Sequence, residues 1–151
     1  MRVHLATDHA GLEFKDALTA HLTSLGYEVV DHGAYEYDAQ DDYPGFCISA
    51  AEAVASEPGS LGVVFGGSGN GEQISANKVK GIRAALCWSI ATAQLAREHN
   101  DANVCSIGAR QHSQEEAFAI IDAFLATPFT NDERHVRRIG QISTYETGQG
   151  T

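Results

Sequence analysis

The order of apolar segments predicts an α/β fold, a parallel sheet layered between helices. Three observations carry this. Apolar runs of five or six residues alternate five times with longer segments of helical spacing. The central run, Leu61-Gly62-Val63-Val64-Phe65, lacks in–out alternation, as expected of a strand buried on both faces. The chain has 151 residues, 43% of them hydrophobic, enough for one domain with a proper core. The expectation is a three-layer α/β/α sandwich on a five-stranded sheet in the order 2-1-3-4-5, in a single domain over residues 1–151.

Val3 to Thr7 is the first strand, ending in the polar loop Asp8-His9-Ala10-Gly11. Leu12, Phe14, Leu18, Leu22 and Leu25 keep close to helical spacing, and Gly26 supplies the stop. Tyr27 to Asp31 is a peripheral second strand, followed by an acidic, tyrosine-bearing loop from Ala34 to Tyr43. Pro44 suits the first turn of a helix running to about Ser56, and Pro58-Gly59 breaks the chain before the central strand. A short helix, Gln73 to Lys78, leads to the fourth strand, Ile82 to Cys87. Ser89 caps an alanine-rich helix from Ile90 to His99. Asn103 to Ile107 is the fifth strand, and Ser113 with Glu116 forms a capping box for a helix to about Ala126. A last helix spans Asn131 to about Tyr145, with a frayed tail over Thr147 to Thr151.

Composition removes several function classes. A net charge of −10 argues against nucleic acid or an anionic membrane as partner. No apolar run approaches the roughly 20 residues of a membrane span, and no signal-peptide pattern opens the chain, so a cytoplasmic protein is expected. Cys47, Cys87 and Cys105 are widely spaced in apolar contexts, which suits buried, reduced thiols. The seven histidines form no His-Glu-x-x-His or similar pair, so no metal site is expected.

The stretch that carries chemistry is Gly66-Gly67-Ser68-Gly69-Asn70-Gly71-Glu72. Four glycines in six positions let the backbone turn sharply and aim several amides at one point, where an anion or an oxyanion can sit. Nucleotide motifs fit badly: Gly-Lys-Ser/Thr is missing, and Glu72 stands where the dinucleotide fingerprint needs its third glycine. A carboxylate beside amide donors suits abstraction of a carbon-bound proton and stabilisation of the enolate. The plainer reading is a strand-to-helix connection with a favourable first-turn acid. In the expected strand order this loop and Asp8-His9 flank the switch point, where such folds bind ligands.

Arg134, Arg137 and Arg138 place three of the ten formal cations within five positions, with His135 on the same side of a helix as Arg134 and Arg138. They make either a cationic surface helix or a phosphate clamp, which Arg110 can join. His9 beside Asp8 can be oriented as an acid–base group. His99-Asn100 ends a helix and so lies near the amino ends of the strands. It either caps that helix or serves a neighbouring subunit's site.

As a set, Asp8-His9-Ala10-Gly11, Asp42-Tyr43-Pro44, the glycine loop, Ala76-Asn77-Lys78 with Gly81-Ile82-Arg83-Ala84, Arg97-Glu98-His99-Asn100 and the terminal arginines resemble the type B ribose-5-phosphate isomerase family. The resemblance covers nearly the whole chain. It implies a Rossmann-like domain, a homodimer at least, no metal or organic cofactor, and interconversion of ribose 5-phosphate with ribulose 5-phosphate in the non-oxidative pentose phosphate pathway. The better-known subtype has a cysteine base where Gly66 stands; this chain resembles the subtype whose base is a glutamate, matching Glu72. By the same resemblance, Asp8 and a partner's His99 open the furanose ring. Glu72 moves the proton from C2 to C1 through a cis-enediolate, and Ser68 shuttles the proton between the substrate oxygens. The amides of Gly67, Gly69, Asn70 and Gly71, with Asn100, hold the oxyanion. His9, Arg110, Arg134 and Arg138 hold the phosphate, with His135 nearby and Tyr43 lining the sugar pocket. The rivals are an isomerase of a six-carbon sugar phosphate, such as galactose 6-phosphate or allose 6-phosphate, and a non-catalytic phosphosugar-binding module. A signalling receiver domain is set aside, because Gly66 stands where its aspartate is needed.

Overall fold

Every strand pairing in the sheet is parallel. The computed structural model describes residues 1–148, so the end of the expected tail, 149–151, lies outside it. The strands are β1 (Arg2–Thr7), β2 (Glu28–Asp31), β3 (Leu61–Gly66), β4 (Ala84–Leu86) and β5 (Val104–Gly108). The helices are α1 (Leu12–Ser24), α2 (Tyr43–Ser56), α3 (Asn70–Ala76), α4 (Ile90–Asn100), α5 (Gln114–Ala126) and α6 (Glu133–Glu146). A 3₁₀ turn, His9–Gly11, runs straight into α1. Among the described residues, no helix is long and apolar enough to cross a membrane.

The three-layer α/β/α arrangement is as expected, but the order is β2-β1-β3-β5-β4 rather than 2-1-3-4-5. The last two strands exchange places for a physical reason. β5 is buried along its whole length and meets β3 over five residues, whereas β4 is three residues long and half-buried at its end. Short, poorly covered strands belong at an edge. The switch point stays between β1 and β3, because their outer neighbours lie on opposite sides.

Alternation along β3 divides the core. Val63 and Phe65 pack with Leu18, Leu22, Ile121 and Phe124, while Val64 faces Ala6, Cys47, Ala50 and Val54 on the other side. Each such large side chain contributes roughly 1.5–3 kcal/mol by leaving water. Local signals end the helices where the sequence indicates. Gly26, at φ +88°, closes α1, with its N–H on the Thr23 carbonyl at 3.0 Å and the Tyr27 N–H on the Leu22 carbonyl at 3.1 Å. Reciprocal capping boxes start α4 at Ser89–Thr92 and α5 at Ser113–Glu116.

Candidate active site

α3 begins earlier than its sequence suggests, at Asn70, because Gly69 takes a left-handed φ of +81° and becomes the N-cap. Glu72 therefore sits in the first turn of the helix, and its carboxylate folds back over the end of β3. A Cβ on Gly66 would lie 1.8 Å from Glu72 Oε1, so a glycine there is what makes room for the acid. Glu72 is only 5% exposed. Burial pushes its carboxyl above the usual range and the Asp8 charge adds to this, while its own backbone N–H pulls the other way. A carboxylate whose proton affinity is raised by burial suits proton abstraction from carbon.

The loop ahead of Glu72 is fixed from the neighbouring strand β5 and the turn that follows it. The Ala109 and Arg110 amides donate to the carbonyls of Gly66 (2.8 Å) and Gly67 (3.3 Å), and Ser106 Oγ donates to the Gly69 carbonyl at 2.7 Å. Ser68 Oγ accepts from the Asn70 backbone N–H at 3.3 Å and from its side-chain amide at 3.2 Å, which leaves the hydroxyl proton free to be given away. Tyr43, opening α2, closes over Gly71, where a Cβ would come within 2.4 Å of the phenol. Arg110 is exposed beside Gly67, its Cδ 3.7 Å from where a Cβ would stand.

Asp8 does not orient His9 as its adjacency suggests. Its carboxylate caps the 3₁₀ turn, accepting the Ala10 N–H at 3.0 Å. The partner of His9 is Asp41, whose Oδ1 lies 2.5 Å from Nδ1 and which also accepts the His9 backbone N–H at 3.0 Å. Sequence reasoning missed Asp41, which is one acid among several in a polar loop, and nothing but folding marks it out. Asp8, His9 and Asp41 are the one group of potential metal ligands gathered among the described residues. Two atoms binding one cation at about 2.0–2.2 Å stand roughly 3 Å or more apart. The 2.5 Å contact is a hydrogen bond instead. Cys47 lies close enough to feel the Glu72 and Asp8 charges, but burial above all pushes its thiol up to about 12, so it stays protonated and inert.

The remaining candidate residues gather elsewhere. His99 and Asn100 end α4, and α6 packs against that helix. The His99 and His135 rings stack with centroids 4.3 Å apart and planes at 17°. His135 is 4% exposed, its Nε2 has no hydrogen-bond partner, and burial, then His99, then Arg134 hold it below the usual histidine range. Arg134, Arg137 and Arg138 are exposed, and among the described residues none pairs with a carboxylate. Because α4 runs back to the start of β5, this cluster lies at the amino end of the sheet, opposite Glu72. One chain thus unites Asp8, His9, Tyr43, Ser68, Glu72 and Arg110, and separates them from His99, Asn100, Arg134, His135 and Arg138.

Comparison with known proteins gives a consistent result. The family model described as Ribose/Galactose Isomerase matches residues 3–142. Ribose-5-phosphate isomerase B of Mycobacterium tuberculosis is 57% identical over 146 residues, covering 97% of this chain and 90% of that protein. The crystal structure of ribose-5-phosphate isomerase B from Mycoplasma genitalium with bound ribulose-5-phosphate superposes with a TM-score of 0.92 at 40% identity, covering 97% of this chain and 96% of that one. The type B ribose 5-phosphate isomerase structure from Trypanosoma cruzi gives 0.93 at 41% identity, covering 98% and 99%.

Proposed function

The chain belongs to the ribose/galactose isomerase family, and from that premise we propose that it interconverts D-ribose 5-phosphate and D-ribulose 5-phosphate, a step of the non-oxidative pentose phosphate pathway. The observation that carries this is the buried Glu72 carboxylate, set over Gly66 at the mouth of an amide-lined loop.

The residues divide the work as follows. Asp8 and a partner subunit's His99 open the sugar ring by moving the proton between the anomeric hydroxyl and the ring oxygen. Glu72 takes the C2 proton and returns it at C1. The charge that builds on the substrate oxygens is met by the amides of Gly67, Gly69, Asn70 and Gly71 and by the partner's Asn100, while Ser68 relays the hydroxyl proton. Tyr43 walls the sugar, and His9 with Arg110 and the partner's Arg134 and Arg138 holds the phosphate. His135, neutral and stacked beneath His99, positions it rather than touching phosphate.

The split between the two ends of the sheet supports reading the protein as a homodimer with shared sites. Its most suitable face carries exposed Leu95 and Ile142, which line a groove of about 620 Å³ along the β4 edge. The three buried thiols suit a reducing, cytoplasmic setting.

Glu72→Gln tests the assignment. It should retain substrate binding and lower kcat by about 10²–10⁴, the usual share of a positioned base. Near-normal turnover would remove Glu72 from the role. Turnover of ribose 5-phosphate measured against allose 6-phosphate and galactose 6-phosphate checks the chain length of the substrate.

A further inference from the structure

The contact between His9 and Asp41 carries more than an orientation. Nδ1 of His9 lies 2.5 Å from Asp41 Oδ1, and the backbone N–H of the same residue reaches Oδ2 at 3.0 Å, so one carboxylate grips His9 twice. The Asp41 side chain is 10% exposed and that of His9 24%, so the grip is sheltered while part of the ring meets solvent. The edge of Tyr37 closes one side, with ring centroids 5.6 Å apart and planes at 85°. Among the described residues nothing bonds the other nitrogen, Nε2.

The two nitrogens are linked by tautomer chemistry. A carboxylate at Nδ1 keeps the proton there. A neutral ring then presents a lone pair at Nε2, which repels an anion and offers it no hydrogen. Only the doubly protonated ring can donate from Nε2 to a phosphate oxygen. If His9 holds the phosphate, as assigned above, it must do so as an imidazolium. We propose that Asp41 is a positioning residue that keeps His9 in the imidazolium form, so that Nε2–H is the ring's donor to the substrate's phosphate. This rests on the assignment of His9 to the phosphate and deepens it.

The charges around His9 agree in sign. The Asp41 hydrogen bond is the largest influence and raises the ring above the ordinary value of 6.5; burial opposes it, the Asp41 and Asp8 charges support it, and Arg110 opposes it. Proton binding at His9 is therefore complete at low pH and lost as pH rises through this elevated value. Anion affinity through His9 follows the same course. The opposition of Arg110 makes sense of the arrangement: without Asp41, a neighbouring guanidinium would tend to discharge the ring at the pH where both cations are needed.

The test uses the intact enzyme and sulfate as probe, whose charge does not change between about pH 5 and 9, so that only the protein titrates. Histidine NMR follows His9, identified by the signal missing from His9→Asn, and sulfate affinity is read from shift changes at each pH. Wild type should hold its sulfate affinity until His9 titrates, above 6.5. Asp41→Asn retains a hydrogen-bond acceptor for Nδ1 but removes the charge. Its His9 midpoint and its sulfate midpoint should both move down together, with sulfate bound roughly 3–10-fold more weakly near pH 7. In His9→Asn, this step in sulfate affinity should be absent. An unmoved His9 midpoint in Asp41→Asn, or a lowered one with sulfate affinity unchanged, overturns the proposal. Should Asp41→Asn not fold, persistence of the wild-type step in His9→Asn does the same. None of these readings requires turnover, so a failure of the isomerase assignment would show separately, as absent conversion of ribose 5-phosphate by the wild-type protein.

Discussion

Glu72 and Gly66 compete for the same space. With a Cβ on Gly66 placed 1.8 Å from Oε1, any side chain at position 66 forces the carboxylate away from the end of β3. The far end of a glutamate can swing aside, so Gly66→Ala should fold with little change in melting temperature. Displacing a catalytic group by about 1 Å costs on the order of 10²-fold, and kcat measured beside a thermal melt would reveal that pattern. A cysteine at position 66, as in the other subtype, could not coexist with Glu72 in this pose. Burial of Glu72 also has a thermodynamic consequence. Its pKa is raised in the folded protein, so the protonated form is favoured by folding, and that contribution is lost as pH rises through the folded value. Glu72→Gln should therefore melt higher than wild type at neutral pH, with the difference shrinking as pH falls through the raised value towards the ordinary carboxylate range. A variant less stable than wild type at neutral pH would show that Glu72 is held by favourable contacts instead. At this scale the sequence was informative about Glu72, because a carboxylate after four glycines is unusual chemistry. It was silent about Asp41, whose significance is a contact across 32 positions of the chain.

At the level of elements, loops and helix ends were legible and sheet order was not. Capping boxes and the glycine stop of α1 are local codes, read within four or five residues. The order of β4 and β5 depends on which strand pairs with β3, and both are short, apolar and followed by a helix. The length and full burial of β5 settle that pairing only after folding. The loop between β2 and α2 illustrates how an element supports the site. Lys15 of α1 is 2% exposed, and its ammonium donates to Asp31 Oδ1 at 2.8 Å and to the Ala34 carbonyl, with the Tyr35 ring 5.4 Å away. The cation pins the start of the loop whose far end presents Asp41 and Tyr43. Lys15→Met fills similar volume but leaves the Ala34 carbonyl without its charged donor, a loss of about 1–3 kcal/mol. Expected are a lower melting temperature, faster proteolysis between Tyr35 and Asp41, and a raised KM with a smaller change in kcat. Unchanged proteolysis and KM would mean the loop holds itself. A second tie is Asn77, whose side-chain amide and carbonyl bond the Ala84 carbonyl at 2.9 Å and its N–H at 2.8 Å, fastening the edge strand β4 to α3.

Across the whole molecule the unusual fact is polarity of placement. A protein of net charge −10 sets exposed Arg134, Arg137 and Arg138 with His99 at the amino end of its sheet, and sets Glu72, Ser68 and Asp8 at the carboxyl end. A parallel sheet cannot bend its own α4 terminus round to the loops at the other end of its strands. Two chains related by a two-fold axis can present each end to the other, and a two-fold contact necessarily makes two such sites. The mixing of two inactive proteins, Glu72→Gln and His99→Asn, measures this directly. If sites are shared, a mixed dimer holds one site carrying both lesions and one carrying neither. Random reassortment after dissociation makes half the dimers mixed, each with one intact site of two, so about a quarter of wild-type activity should return. If His99 serves the Glu72 of its own chain, every site keeps a lesion and mixing restores nothing. Native mass spectrometry of the same sample, confirming that mixed dimers formed, makes an unrestored activity decisive against the shared site.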